Sequence, residues 1–152
     1  MKTRDFANDA EVATLVEGFE RATIPASEFT HVAHIAVALS YLNEMPAADA
    51  LTRMRKNILA FAAHHGLSGL YHETLTTFWM KLLDHVAANA DVDPSRRSRS
   101  AKADLPLWQR INSIVAKWGT SAPVKAHYSP EVIQSKTARE GWIPPDRLPL
   151  PF

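Results

Sequence analysis

Phe29-Thr30-His31-Val32-Ala33-His34, continued by Ile35-Ala36-Val37-Ala38-Leu39-Ser40-Tyr41-Leu42, is the stretch that decides the fold. No charged residue interrupts it until Glu44. A helix of this composition is apolar almost all round, the pattern of a buried central helix rather than a surface one. Thr30 or Ser27 can cap it, and it is expected to run to about Asn43. The two histidines stand three residues apart and so share one helix face. A buried imidazole costs free energy unless it is bonded. A metal ion is the sharpest reason for such a pair; hydrogen-bonded core histidines are the bland one.

Working outward, the helical period continues on both sides. Asp9 can cap a helix to about Thr23 with Val12, Leu15, Val16 and Phe19 as its stripe, and Pro25 lies beyond it. Pro46 opens a third helix, where Ala47, Leu51, Met54, Ile58, Phe61 and His65 recur at helical steps and Gly66 closes the run. After the loop Gly66-Leu67-Ser68-Gly69, a fourth helix from about Tyr71 to Ala88 carries Leu75, Phe78, Trp79, Leu82 and Val86. Residues 91–103, with Pro94, Arg96, Arg97 and Arg99, read as a basic solvated loop. Asp104 can cap a fifth helix bearing Leu107, Ile111, Ile114 and Trp118. Ser129-Pro130 and Ser135 start short helices, the second ending near Gly141. Pro144, Pro145, Pro149 and Pro151 then hold residues 143–152 extended. No run alternates at period two. The expected fold is all-α: a compact single-domain bundle of about five main helices over residues 1–152, with a Pro-rich C-terminal strap.

Composition narrows the function classes. At 152 residues the chain can bury a substantial core without staples. Its 46% hydrophobic and 22% charged residues are those of a globular protein. A net charge of +1 gives no bulk pull toward nucleic acid or a membrane surface, so neither partner is expected. The Arg96–Lys102 cluster alone keeps a weaker nucleic-acid reading open. The absence of cysteine removes disulfides, thiolate metal sites and cysteine nucleophiles. Met1–Asp5 leads into a charged amphipathic helix instead of an apolar signal core, and a cytoplasmic location is the default expectation. A homodimer suits bundles of this size, although no apolar stripe is left over for one.

The second motif is Tyr71-His72-Glu73-Thr74-Leu75-Thr76. His72 shares a face with Leu75, Thr76 and Trp79 and is expected to project inward. With His31 and His34 it would complete an open shell for one transition-metal ion: copper, iron or zinc. Glu73 lies about 100° round the helix from His72. It therefore reads as an orienting residue or general base, as an alternative ligand, or as an acid favoured by the helix dipole. Tyr71, Thr76 and Trp79 would shape the pocket. His65 continues its helix's apolar stripe and is the candidate fourth ligand, while a helix C-terminus favours histidine there for its charge alone. No Gly-x-Ser-x-Gly elbow or phosphate-cradling glycine loop is present.

Taken in order, Phe29-x-His31-x-x-His34, the Tyr71–Thr76 motif with Trp79, and a tail of Tyr128-Ser129, Ser135, Ala138-Arg139, Trp142 and Pro145-Asp146 resemble a family of small, mostly uncharacterised bacterial helical proteins. The resemblance spans roughly residues 10–151. It implies that His31, His34, His72 and Glu73 belong to the family's motifs, and it implies no activity. The chain departs from the family in having Val32-Ala33 and Ile35-Ala36 where members often carry a charge, and in a longer, more basic 91–103 segment. Arg139 is expected either to clamp an anion over the site or to cap a helix end, the cap being favoured.

Two functional readings follow. One is a mononuclear metal-dependent enzyme acting on a small organic substrate, by hydrolysis or lyase chemistry or by oxidation. The other is a non-catalytic binding or dimerising module whose histidines form a buried hydrogen-bond network.

Overall fold

The charge-free run becomes the centre of the molecule. The computed structural model describes residues 5–89 and 105–150. Among them lie α1 (Asp9–Glu20), α2 (His31–Glu44), α3 (Ala47–His64) and α4 (Glu73–Asn89), followed by α5 (Leu107–Trp118), α6 (Ala122–His127), α7 (Pro130–Ile133) and α8 (Lys136–Glu140). Short 3-10 turns at Ala26–Glu28 and Ser68–Leu70 precede α2 and α4, and the described residues contain no strand. The chain is an all-α bundle. In α2, residues Ala33, Ile35, Ala36, Val37, Ala38, Leu39 and Tyr41 are at most 4% exposed, and α1, α3, α4 and α5 all pack on them. Burial on all sides matches an apolar surface with no polar stripe; each large side chain so removed from water contributes about 1.5–3 kcal/mol.

The ends of these helices are fixed by local chemistry. Thr30 caps α2, its Oγ1 accepting from the Ala33 N–H at 3.3 Å. Pro46 precedes α3, and Gly66 closes it in a left-handed conformation at φ +71°. There the Leu67 N–H reaches the Ala62 carbonyl at 2.7 Å and the Gly66 N–H reaches that of Ala63 at 3.2 Å. This Schellman pairing satisfies carbonyls that the helix leaves open. Ser129 and Ser135 cap α7 and α8 as expected.

Three boundaries differ from expectation. Asn8, not Asp9, caps α1 by accepting from the Glu11 N–H; Asp9 instead accepts from Trp108 at 3.0 Å and ties on the start of α5. The same helix stops at Glu20, because the chain reverses so tightly that Ile24 lies over Gly18, where a Cβ would sit only 2.6 Å from Ile24 Cγ2. α4 starts at Glu73 instead of Tyr71. The expected basic loop 91–103 and the Asp104 cap lie outside the described residues.

The tail runs as an extended strap pinned to the α6–α7 corner. Tyr128 donates to the Ile143 carbonyl at 2.7 Å, Asp146 accepts from the Ser129 N–H at 2.9 Å, and Arg147 donates to the His127 carbonyl at 3.0 Å. His127 Nδ1 donates to the Leu148 carbonyl at 2.8 Å. Thr74 joins strap and bundle, donating to the Gly141 carbonyl and accepting from the Ile143 N–H. No described helix is long and apolar enough to cross a membrane.

Candidate functional site

Because α2 begins directly after its Thr30 cap, His31 and His34 both fall in its first turn. The His34 ring turns back over that turn, with Nδ1 2.9 Å from the Thr30 carbonyl oxygen. A carbonyl only accepts, so Nδ1 carries the proton and Nε2 is left with a lone pair. Phe29 covers the ring at 3.9 Å between centroids and is itself stacked on Phe19 at 4.3 Å. Burial pushes the His34 pKa down to about 4; the neighbouring His31 adds to the fall, and the Thr30 bond opposes it. Burial also lowers that of His31. The positive end of the α2 dipole works in the same direction. Both rings are neutral near pH 7. His31 meets Trp79 edge to face at 4.6 Å, and its Nε2 is buried with no hydrogen-bond partner among the described residues.

His31 and His34 border a half-open cavity of about 320 Å³ between α2, α3, α4 and the turn before α4. Ile35 and Ala38 from α2 and Met54 and Ile58 from α3 form its apolar floor. The opposite wall comes from Leu70, Tyr71, His72, Leu75, Thr76, Trp79, Met80 and Leu83. All the candidate residues of the two motifs except Glu73 therefore meet at one cavity. His65 does not reach it: its ring packs on Phe61 at 4.4 Å and on His64 at 5.0 Å. A larger hollow of about 1000 Å³ between the end of α4 and α5 contains neither motif.

His72 performs a different task from the one its spacing suggests. Its carbonyl accepts the first bond of α4, from the Thr76 N–H at 3.1 Å, so it occupies the N-cap position. Its Nδ1 accepts from the Leu75 N–H at 3.1 Å, and its Nε2 lies 2.6 Å from the Ile133 carbonyl oxygen. Nε2 must therefore carry the proton. The ring caps one helix and ties it to α7, with both nitrogens already committed. The spacing pointed to a third imidazole ligand; held this way, His72 could give a lone pair to a metal only by releasing one of these bonds. Among the described residues no group of three or more His, Asp or Glu is placed around a common ion.

Glu73 points out of the cavity toward α3. Arg55 grips it with two parallel bonds, Nε to Oε1 at 2.8 Å and Nη2 to Oε2 at 2.7 Å. Tyr71 donates to Oε1 at 2.5 Å and Thr77 to Oε2 at 3.1 Å. Burial alone would raise the Glu73 pKa, but the bonds from Arg55, Tyr71 and Thr77 outweigh it and hold the carboxyl below the usual range. A carboxylate with four donors is a poor proton acceptor. Its bond holds the Tyr71 hydroxyl, whose own pKa is pushed up to about 12 by burial and by this bond.

Arg55 is the residue that sequence reasoning missed. It sits one step beyond Met54 and three before Ile58, at the edge of the α3 stripe, and that edge position was the available signal. Arg139 donates to the Gly69 carbonyl at 3.0 Å and braces the turn before α4. His85 is half-buried. Trp142 stays about one third exposed, with the Lys81 ammonium 5.7 Å from its ring centre.

The chain has no match among models of protein families, curated proteins or solved structures.

Proposed function

We propose that the protein is a metal-dependent enzyme that takes a small organic substrate into the α2–α3–α4 cavity and holds one transition-metal ion, copper, iron or zinc, on His31 and His34. The observation that carries this reading is the state of the two imidazoles. His34 has its proton fixed on Nδ1 by the Thr30 carbonyl, the backbone bond that orients a ligating histidine. His31 has a buried nitrogen that no group of the described residues satisfies. Leaving a buried polar atom unpaired costs about 1–3 kcal/mol, and a cation or a ligand would remove that cost. Water and substrate would complete the shell. Zinc would activate water for hydrolysis or lyase chemistry, whereas copper or iron would permit oxidation. Tyr71, held by Glu73 and Arg55, would position the substrate, with Trp79 as the wall beside His31.

One observation favours the non-catalytic reading for part of the set. His72 is fully bonded to backbone, as a member of a structural hydrogen-bond network would be. The proposal therefore assigns His72 to the frame and His31 and His34 to the site.

Elemental analysis of untagged protein, beside His31→Ala/His34→Ala and His72→Ala variants, tests it. The expected result is about one metal per chain in the parent and in folded His72→Ala, and none in the folded double variant. Absence of metal from the parent, even after reconstitution with each of the three metals, would reject the metal-dependent reading.

A further inference from the structure

We infer that the α2–α3–α4 cavity, free of metal, takes an uncharged, largely apolar compound bearing a hydroxyl or an N–H, of the phenol or indole type, and not a carboxylate, a phosphate or an ammonium cation. The inference rests on the reading of this cavity as a small-molecule site.

Charge is the first ground. Among the described residues no Asp, Glu, Lys or Arg lines the cavity. The nearby ion pair, Arg55 with Glu73, is closed on itself by two short bonds and lies outside the lining. With no metal bound, a charged ligand would lose its hydration and find no opposite charge among these side chains, a cost that apolar contact does not offset.

The second ground is where the protons of the lining go. Tyr71 donates its hydroxyl proton to Glu73, and Thr76 donates its own to the His72 carbonyl at 2.9 Å. His72 gives its proton to the Ile133 carbonyl, and His34 gives its proton to the Thr30 carbonyl. What Tyr71, Thr76 and His34 have left is lone pairs. Apart from His31, whose unpartnered Nε2 donates or accepts according to its tautomer, this wall accepts hydrogen bonds and so favours a ligand that donates one. A metal on His31 and His34 leaves the oxygens of Tyr71 and Thr76 with the same preference. Volume is the third ground. At about 320 Å³ the cavity is at the small end of ligand sites, roughly twice the size of a cavity that holds benzene.

The test uses the full chain, as purified and after chelation, with phenol and indole as probes and anisole, benzoate and benzylamine as controls. Binding is read by ligand-observed NMR and by shifts of the Trp79 indole signal. Phenol and indole are expected to bind about tenfold more tightly than any control, one hydrogen bond's worth of discrimination. Ala38→Phe, which fills the floor, is expected to abolish binding, and Thr76→Val to narrow the gap between phenol and anisole; melting curves establish that each variant is folded. Equal or tighter binding of benzoate, benzylamine or anisole would overturn the inference, as would failure of phenol and indole to bind. The metal reading stands or falls separately, on metal content. After chelation, a protein that prefers phenol keeps this inference, and one that prefers benzoate loses it.

Discussion

Replacing His72 by alanine separates the roles of the three histidines. The substitution removes the acceptor for the Leu75 N–H, and loss of an N-cap costs about 0.5–2 kcal/mol. It also strips the half-buried Ile133 carbonyl of its donor, worth about 1–3 kcal/mol. Together these losses predict destabilisation of roughly 2–4 kcal/mol. For a chain of 152 residues each kcal/mol shifts Tm by about 2–4 °C, so a fall of roughly 4–16 °C is expected. His72→Asn keeps a good capping side chain but is too short to span to Ile133, and it is expected to recover about half of the loss. Urea unfolding followed by far-ultraviolet circular dichroism measures all three proteins, with the slope against denaturant held as a check on two-state behaviour. Destabilisation of His72→Ala by less than about 0.5 kcal/mol would refute the assignment of this ring to the frame. So would an asparagine variant no more stable than the alanine one.

Three further outcomes are expected. Glu73→Gln should cost about 1–3 kcal/mol near neutral pH and flatten the acid limb of the stability curve, measured by urea unfolding across pH. The sign follows from linkage: a carboxyl whose folded pKa lies below its unfolded value stabilises the protein above that unfolded value, near 4.5, and the contribution disappears as pH falls through the folded pKa. An acid limb as steep in the variant as in the parent would show that the Arg55–Glu73 pairing contributes little. Tyr128→Phe removes a buried donor from the Ile143 carbonyl and should cost about 1–2 kcal/mol, with faster amide exchange along residues 143–148; unchanged exchange there would mean the strap is held elsewhere. Thr30→Ala should weaken α2 by about 0.5–1 kcal/mol in thermal melts yet leave the His34 tautomer intact, since that bond is to the Thr30 backbone.

Much of the architecture was legible because it is written in periodicity and punctuation. The uncharged run after His34 marked α2 as central, and Thr30, Gly66, Ser129 and Ser135 announced their caps through side chains or backbone freedom that few other residues supply. Boundaries were misread where a long-range contact decided them. Asp9 looked like a cap, but its carboxylate is taken by Trp108, about a hundred positions away in sequence, and Asn8 caps instead. The cavity was legible in outline because helical spacing brought Tyr71, Thr76 and Trp79 to the same wall as His31 and His34. Which way His72 and Glu73 turn was not. A residue at the very start of a helix obeys cap geometry, not the helical wheel, so His72 folds back onto Leu75 and reaches Ile133, a partner no local pattern announces. Arg55 was hidden for a related reason: an arginine at the edge of an apolar stripe reads as solvated until its carboxylate is seen across the helix pair.

The division of labour among the imidazoles is tested most directly by long-range nitrogen–proton NMR of the histidine rings, before and after addition of zinc. His34 is expected as the Nδ1–H tautomer and His72 as the Nε2–H tautomer, with zinc shifting the nitrogens of His31 and His34 and leaving those of His72 in place. A His72 ring that changes tautomer or moves with the metal, while His31 or His34 stays still, would contradict the assignment of the site.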